Sequence, residues 1–396
     1  MLSRSYPNEV TPVLGIWTEE LVRHVAGLCD LRVISPVPYC PPLPGLRQYT
    51  RFRRVEARER RRGVEVWHPR FLTGPGYSFH NYEAETYYLG VRRLVARLRR
   101  DFPFELIHAF FSYPDGVAGA RLAREYGVPL VITEHAPWHP WMEQYPRVRG
   151  QAIAASRQSA LHITVSHYAR ATIARYAGES DRLRVLPNGV DEELFTPLPD
   201  GGRPRPGQIL FVGLMRHVKG VDVLLRAMQR LAAERPDWRL VLVGGGFYQS
   251  SLRYTERMRA LVGELGLEGR VEFVGMKAPG EVAAYMRESA VLVLPSRSET
   301  FGSVILEALA CGTPVVATRC GGPEDVVTPE VGRLVPKEDP DALAAAIAET
   351  IEGRAWYDPR RLRRYAVEHF AWGRIAEQTV GLYAEALAPV AGGIRS

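Results

Sequence analysis

Cysteine is scarce in this sequence, whose 396 residues include only Cys29, Cys40, Cys311 and Cys320. No two of them have the CxxC spacing of a zinc or redox site, which argues against a disulfide scaffold and favours buried thiols in a reducing cytoplasm. No run of about 18 uncharged apolar residues occurs, so no transmembrane helix is expected. The first residues, MLSRSYPNEVTP, lack the apolar centre of a signal peptide. The sequence therefore predicts a cytoplasmic protein.

Lysine is rarer still, since Lys219, Lys277 and Lys337 stand against 48 arginines. The formal net charge is +7, and residues 1–197 hold 26 arginines and 20 acids, which places most of the excess in that half. A basic half predicts an anionic partner, which could be a membrane surface, a phosphorylated substrate or a nucleic acid.

Nucleic acid is not expected as that partner, because no RNA- or DNA-binding motif accompanies the charge. The arginine-rich segment 47–67 favours peripheral binding of the N-terminal domain to an anionic membrane, at its inner face. A solvated linker or helix face explains the same residues equally well.

Strand-like and helix-like segments alternate along the second half of the chain. Amphipathic helix segments separate the apolar strand segments, which lie at 208–215, 239–246, 270–275, 291–296 and 313–318. This alternation predicts βαβ units and a parallel sheet with helices on both faces. The first half repeats the pattern less regularly, and the Pro-, Gly- and Asp-rich segment 186–208 is the expected joint. We therefore expect an α/β protein of two doubly wound domains.

The first of these domains begins unusually. A doubly wound domain generally opens with a strand at the centre of its sheet, but only Met1 and Leu2 precede a polar loop at residues 3–12. A central strand needs ladder hydrogen bonds on both edges, which two residues are not expected to supply. We therefore expect the natural chain to begin upstream of Met1.

Two glutamates in an apolar stretch mark the first candidate site. In LPSRSETFGSVILEALACGTPVVAT (294–318), a strand is followed by a loop and by a helix that begins near Ser303. Ligands of parallel sheets bind at such strand ends, the free N–H groups of a helix start attract an anion, and Gly302 allows close approach. Glu299 and Glu307 suit hydroxyl groups better than phosphate, and phosphate flanked by hydroxyls describes a sugar nucleotide. Taken alone, Glu307 could be an acid that complements the helix dipole, and Glu299 could be a solvated loop charge.

A second loop supports the sugar-nucleotide interpretation. In FVGLMRHVKGVDVLL, Gly213 ends a strand, Arg216 and Lys219 follow in the loop, and Gly220 precedes the next helix. Both cations could meet phosphate oxygens at the same edge of the sheet. Because the chain has only three lysines, a lysine in this loop is not explained by the general composition of the chain. A solvated basic loop remains the alternative.

Together these segments resemble the family-4 retaining glycosyltransferases of the GT-B fold. The motifs that carry the resemblance occur in the order typical of that family. They are HAFFSYPDGVAGARLAREYGVPLVITEH, VSHYAR, PNGVD, FVG…RHVKG, the stretch 294–318 and FAWGRIAEQTVGLYAEAL. The spacing of the two glutamates also matches the E-x7-E signature of the family. The resemblance implies two Rossmann-like domains that face each other across a cleft, at 1–195 and 196–365. It also implies a C-terminal helix at 366–390 that crosses back to the first domain.

The resemblance further implies a role for each candidate residue. Glu307 would hold the ribose hydroxyls, Glu299 would hold the hydroxyls of the donor sugar, and His135 would reach that sugar near the reaction centre. Lys219 and Arg216 would hold the diphosphate. The remaining donor-binding positions are Gly15 in a closing loop, Gly213, Ser303 and the backbone amides of Phe301 and Gly302. Asn188 belongs to the interdomain segment.

Two departures from the family pattern stand out. The family commonly has Arg directly after the glycine that ends the FVG strand, but Leu214 occupies that position and Arg216 follows two residues later. The resemblance therefore supports Lys219 as a diphosphate ligand more strongly than Arg216. The opening strand of the family is also nearly absent.

The implied reaction transfers a sugar, with retained configuration, from a nucleotide donor to a hydroxyl of a lipid-linked or cell-envelope glycan or of a small metabolite. The cations and the helix amides would stabilise the negative charge of the leaving diphosphate, so neither a metal ion nor a cofactor is expected. His135, His139 and His167 do not have metal-ligand spacing.

Two other functions fit the same fold. A GT-B-like sugar-nucleotide epimerase would share the nucleotide site but would need no acceptor. A non-catalytic protein that binds carbohydrate or a partner would be expected to lose site residues, whereas Glu299, Glu307 and Lys219 are all present.

Overall fold

The computed structural model describes residues 1–39, 50–74, 79–138, 141–199, 204–246, 249–353 and 356–388. Cys40 and His139 lie outside these described residues. The chain divides into two compact units: unit 1 comprises Met1–Pro187 with Trp372–Ser396, and unit 2 comprises Asn188–Ala371. The predicted domain bounds lie near these divisions but not at them.

A mostly parallel sheet organises unit 1. Its strands among the described residues are β1 (Val33–Ile34), β2 (Val37–Tyr39), β3 (Arg58–Arg61), β4 (Val64–Trp67), β5 (Arg70–Leu72), β6 (Ile107–Phe110), β7 (Leu130–Glu134), β8 (Leu161–Thr164) and β9 (Leu183–Val185). Strands β6 to β9 pair in parallel in chain order. β1 pairs in parallel with β4, on which β3 lies antiparallel, while β2 and β5 form a separate parallel pair.

The first three residues occupy the centre of this sheet. Leu2 forms parallel bridges with Ile34 of β1 and with Ala109 of β6. Its N–H donates to the carbonyl of His108 at 2.8 Å, and on the opposite edge the Ser3 N–H donates to the carbonyl of Ile34 at 3.1 Å. The prediction that the first two residues could not supply ladder hydrogen bonds on both edges is therefore wrong. A very short extended segment is sufficient, because the facing edges of β1 and β6 both offer backbone N–H and C=O groups that bond to it.

Helices cover both faces of the unit 1 sheet. Those among the described residues are α1 (Ile16–Val25), α2 (Glu83–Asp101), α3 (Val117–Tyr126), α4 (Trp141–Gln144), α5 (Pro146–Gln158) and α6 (His167–Ala177). Val131 and Ile132 are neighbours on β7 but belong to different apolar clusters. Successive side chains of a strand point to opposite faces, so the sheet is buried on both sides, as predicted for a parallel sheet.

Unit 2 has a fully parallel sheet of six strands among its described residues. The strands are β10 (Gln208–Val212), β11 (Arg239–Val243), β12 (Val271–Gly275), β13 (Val291–Leu294), β14 (Val315–Thr318) and β15 (Gly332–Val335). Their order is β12-β11-β10-β13-β14-β15, so the direction of winding reverses between β10 and β13. Such a reversal is the topological switch point at which doubly wound sheets bind ligands.

The helices of unit 2 pack on both faces of this sheet, and the last helix of the chain returns to unit 1. Within the described part, the unit 2 helices are α7 (Val221–Glu234), α8 (Gln249–Glu264), α9 (Pro279–Glu288), α10 (Ser303–Ala310), α11 (Pro340–Glu352) and α12 (Pro359–Phe370). The last helix, α13 (Trp372–Leu387), packs against α1, and its Tyr383 lies in one of the apolar clusters of unit 1. The return of the C-terminal helix to the first domain is thus confirmed, although residue 366 belongs to α12.

Candidate functional site

Two loops meet at the switch point of unit 2. The loop 213–220 follows β10, and the loop 295–302 follows β13. Gly220 has φ +65°, and a Cβ atom at that position would lie 2.0 Å from the carbonyl oxygen of Pro295. Only glycine tolerates both this conformation and this approach, so Gly220 allows the two loops to touch.

That contact brings Lys219 and Glu299 together. Nζ of Lys219 lies 2.5 Å from Oε1 of Glu299, and the same oxygen accepts a hydrogen bond from Oγ of Ser296 at 2.7 Å. The side chains of Lys219 and Glu299 are 23% and 10% exposed, so the pair is partly withdrawn from water. Two residues predicted from separate motifs therefore form one charged pair.

Arg216 lies in the same loop but is placed differently. Its side chain is exposed, and no hydrogen-bond or ion-pair partner is found for its guanidinium within the described part of the chain. Its carbonyl accepts the Lys219 N–H at 2.8 Å, while the N–H of Gly213 at the start of the loop donates to the carbonyl of Val243 at 3.0 Å. The backbone of the loop is thus fixed, and the Arg216 guanidinium is available to an anion.

Helix α10 begins at the second loop without a side-chain cap. Gly302 is its N-cap with φ +87°, so the first N–H groups of the helix are not used by a capping side chain. The ring of Phe301 is buried and lies 6.3 Å from that of Phe370. Oγ of Ser303 accepts a hydrogen bond from the amide of Asn188 at 3.4 Å. The uncapped N–H groups form an anion-attracting helix start, as the sequence predicted.

Glu307 occupies the second turn of α10. Among the described residues no hydrogen-bond donor or ion-pair partner is found for its carboxylate. Burial raises the pKa of Glu307 from 4.5 to about 7. A partly buried acceptor without a protein partner is suited to hydroxyl donors from a ligand.

The predicted unit 1 residues lie at strand and helix ends. Gly15 precedes α1 with φ +77°, and a Cβ atom there would lie 1.6 Å from the carbonyl oxygen of Ser5. His135 directly follows β7, and its ring stacks on that of Phe110 at 6.0 Å. Both ring nitrogens of His135 are buried and have no hydrogen-bond partner among the described residues, and burial lowers the pKa of this imidazole to about 4. His135 is therefore neutral at pH 7 and can accept or donate a hydrogen bond.

Sequence reasoning missed the buried carboxylate next to His135, which fixes the segment around it. The carboxylate of Glu134 accepts hydrogen bonds from the hydroxyl of Ser112 at 2.7 Å, from Nε1 of Trp138 at 3.1 Å and from the N–H of Ala136 at 3.1 Å. Burial raises the pKa of Glu134, and these hydrogen bonds oppose that rise. The only signal in the sequence was an acid between an apolar strand and a candidate histidine.

Metal ligation is not visible in the described residues. No group of three or more His, Cys, Asp or Glu side chains that could hold a metal ion is found there. The metal-independent reaction stays a prediction. Likewise, none of the described helices combines the length and the apolar composition that crossing a membrane requires.

Comparisons with known proteins place the chain in a family. The model described as Glycosyl transferases group 1 matches residues 200–369, and the model described as Glycosyltransferase Family 4 matches residues 15–194. The D-inositol 3-phosphate glycosyltransferase of Acidothermus cellulolyticus is 35% identical over 72% of this chain and 68% of that protein. The chain belongs to the family-4 glycosyltransferases. The MMP alpha-(1->4)-mannosyltransferase of Mycolicibacterium hassiacum is 31% identical over 95% of each chain.

Solved structures of other proteins show the same fold as this glycosyltransferase. Sucrose-phosphate synthase from Thermosynechococcus elongatus has a TM-score of 0.77 at 24% identity, over 93% of this chain and 92% of its own. Anabaena HepE in complex with UDP has a TM-score of 0.75 at 20% identity, over 97% of this chain and 98% of its own. The predicted GT-B fold, with two Rossmann-like domains, is confirmed, and so is the prediction of a glycosyltransferase.

Proposed function

We propose that this glycosyltransferase moves a sugar from a nucleoside diphosphate sugar to a hydroxyl acceptor, with retained configuration. One observation carries the proposal: at the switch point of unit 2, cations, an uncapped helix start and two carboxylates lie on adjacent strand ends. Cations and helix N–H groups suit a diphosphate, and carboxylates suit hydroxyls.

The geometry supports a division of roles among these side chains. Lys219 and the exposed Arg216 hold the diphosphate, with the amides of Phe301, Gly302 and Ser303 at the helix start. Glu307 accepts hydrogen bonds from the ribose hydroxyls, because its carboxylate has no donor among the described residues. Glu299, oriented by Ser296 at 2.7 Å, accepts hydrogen bonds from the transferred sugar.

The chemistry follows from where charge develops. Cleavage of the bond to the anomeric carbon leaves negative charge on the diphosphate, which Lys219 and the helix start stabilise. These groups act without a metal ion. His135, neutral at pH 7, contributes a hydrogen bond to the sugar rather than a charge.

What similar proteins bind gives further support for the donor class and suggests an acceptor class. HepE has been solved with UDP and with UDP-glucose, and the Acidothermus relative is named for transfer to D-inositol 3-phosphate. We propose a nucleotide sugar as donor and a hydroxyl of a small phosphorylated metabolite or of a glycan as acceptor.

Thermal stabilisation by a panel of UDP-, GDP- and ADP-sugars tests the donor, since a ligand that binds the native state raises the melting temperature. Product analysis with candidate acceptors then separates the alternatives. A transferase yields a glycosylated acceptor, a GT-B-like epimerase yields an altered sugar without an acceptor, and a binding protein yields no product. Stabilisation by none of the nucleotide sugars would contradict the proposal.

An arginine-rich helix face supports a second proposal, peripheral association of unit 1 with an anionic membrane at the inner face. Residues at spacings of three and four share one side of a helix, and on α2 the exposed ones are Leu89, Arg92, Arg93, Ala96, Arg97, Arg100 and, at the end of the helix, the acidic Asp101. Within the described residues, these four guanidiniums have neither a carboxylate partner nor a hydrogen-bond acceptor. Each basic residue near an anionic surface contributes about 1 kcal/mol to binding.

The face on α2 carries this proposal better than the segment 47–67 that the sequence suggested. In that segment Arg61 pairs with Glu19 at 2.8 Å, and Arg58 and Arg62 pair with other glutamates. Residues 47–49 lie outside the described residues. A cation that already has a carboxylate partner gains less from an anionic surface than one that has none.

A further inference from the structure

Arg297, which sequence reasoning did not single out, uses all five of its guanidinium N–H groups. Nη1 donates to the carbonyl of His217 at 2.6 Å and to Oδ1 of Asp222 at 2.8 Å. Nη2 donates to Oδ2 of Asp222 at 2.7 Å and to Oε2 of Glu338 at 3.0 Å, and Nε donates to Oε1 of Glu338. A guanidinium has five N–H donors, so none is left for a ligand.

These contacts join three loops that follow β10, β13 and β15, of which β10 and β13 are neighbours while β14 lies between β13 and β15. Arg297 lies in the loop after β13, two residues before Glu299. Its acceptor His217 lies in the loop after β10 that carries Lys219, and its backbone N–H donates to the carbonyl of Val218 at 2.8 Å. Glu338 follows β15. The arginine thus connects the segment of the candidate sugar-binding carboxylate with the segment of the candidate diphosphate-binding lysine.

The charged pair at the centre of this connection is partly buried. The side chains of Arg297 and Asp222 are 17% and 26% exposed. Burial alone would raise the pKa of Asp222, but hydrogen bonds from Arg297 and from the hydroxyl of Tyr254, at 2.9 Å, lower it. The hydrogen bonds to Asp222 raise the pKa of Arg297 above its usual value. Both groups stay charged at neutral pH, and the planar two-point contact fixes orientation as well as distance.

We propose that Arg297 is a positioning residue of the donor site. By holding the loop 213–220 against the loop 295–302, it sets the position of Lys219 for the diphosphate while it touches no part of the donor. The inference rests on the proposed function in one respect, which is that Lys219 binds the diphosphate. It goes further because it states that the position of Lys219 is set by Arg297, a residue that contacts only protein groups.

A double-mutant cycle tests the proposal, because residues that act through one another are non-additive. R297Q, K219A and the double variant are titrated calorimetrically with UDP, and in parallel with GDP and ADP. R297Q should weaken binding of the nucleoside diphosphate about tenfold when Lys219 is present, which corresponds to about 1.4 kcal/mol of binding free energy. In the K219A background the same change should weaken binding less than about threefold.

Two control variants separate positioning from general stability. Arg230 makes a two-point contact with Asp341 elsewhere in unit 2, and R230Q should lower the melting temperature without changing nucleotide affinity. R297K keeps the charge but cannot reproduce five donors in one plane, so it should not restore affinity. If R297Q does not fold, D222N breaks the same contact and replaces it in the cycle.

Each outcome is decisive. Three results would overturn the positioning role while the proposed function stands. They are equal weakening of nucleotide binding by R297Q in both backgrounds, unchanged nucleotide affinity in R297Q, and full recovery of affinity in R297K. Binding by K219A as tight as in the unmodified protein overturns the role of Lys219 and, with it, this inference. Failure of the unmodified protein to bind any of the three nucleoside diphosphates overturns the proposed function itself.

Discussion

The ammonium nitrogen of Lys219 lies 2.5 Å from Oε1 of Glu299, a residue 80 positions further along the chain. The sequence assigns these side chains to different parts of one donor, the diphosphate and the sugar. The structure joins them in one pair, so a diphosphate that binds Lys219 competes with Glu299 for the same charge. This competition makes the effects of changing the two residues opposite in sign for the bare diphosphate.

Replacement of either glutamate should separate turnover from binding. E299Q should lower turnover on the order of 10²-fold and leave nucleoside diphosphate affinity unchanged or slightly stronger, since Lys219 loses a competing anion. E307Q should weaken both the donor and the bare diphosphate by about 1.5–3 kcal/mol, because the contact to ribose is the same in ground and transition states. Calorimetry and steady-state rates on both variants measure this. Equal loss of diphosphate binding in E299Q and E307Q would show that the roles are not divided.

The raised pKa of Glu307 gives stability a defined pH dependence. This pKa is about 7 in the folded protein and 4.5 in the absence of burial. The native state therefore binds more protons than the unfolded state between these values, and the free energy of unfolding falls as pH rises through this range. E307Q should gain stability relative to the unmodified protein on going from about pH 5 to about pH 8. Melting temperatures of both proteins at the two pH values test this, and a constant difference between them would contradict it.

Nucleoside diphosphates should bind without added divalent metal. K219A removes a charge-assisted contact and should weaken binding by about 1.5–3 kcal/mol, whether or not EDTA is present. K277A is the matched control, since Lys277 pairs with Glu281 at 3.2 Å on the surface. If binding by the unmodified protein disappears in EDTA and returns with Mg²⁺ or Mn²⁺, the cations do not replace a metal.

Gly220 should be intolerant of any side chain. G266A, at φ +66° with open space around it, is the matched control and should cost roughly 1–2 kcal/mol from backbone strain alone. G220A has the same strain and a clash with Pro295, so it should cost more and should also weaken nucleotide binding by moving Lys219. Urea unfolding and calorimetry compare the two variants. Similar losses in both experiments would show that the loop contact does not position the lysine.

Anionic vesicles should bind the protein through the arginine face of α2. A variant with Arg92, Arg93, Arg97 and Arg100 changed to Gln should bind phosphatidylserine-containing vesicles at least about tenfold more weakly at low salt. The control has the same charge change at four exposed arginines of unit 2, Arg226, Arg239, Arg253 and Arg257. Flotation measures both. Equal binding to neutral phosphatidylcholine vesicles would contradict membrane association, and equal loss in the two variants would contradict only the choice of surface.

The sequence predicted what depends on local pattern. Alternating apolar and amphipathic segments predicted both parallel sheets, and strand–loop–helix junctions predicted the places of Lys219, Glu299 and Glu307. Contacts between distant side chains were not predictable in this way. The five hydrogen bonds of Arg297 depend on the register of three loops, and nothing within any one loop encodes that register.

The place of Leu2 shows the same limit. Its two bridges are to Ile34 and Ala109, which lie 32 and 107 residues away along the chain. The extended segment around Leu2 is too short to show the apolar pattern of a strand in the sequence. The pairing of Arg61 with Glu19 likewise converts an apparent basic run into a partly neutralised surface.

The scarcity of lysine gives the donor site a chemical label of its own. Reagents that modify primary amines find three lysine side chains in 396 residues. Lys219 has 23% of its side chain accessible, Lys277 has 28%, and Lys337 is exposed. A nucleotide seated on Lys219 would shield one of these three side chains and leave the other two reactive. Occupancy of the site can thus be followed as the loss of a single modified peptide, against two internal references that the protein itself provides.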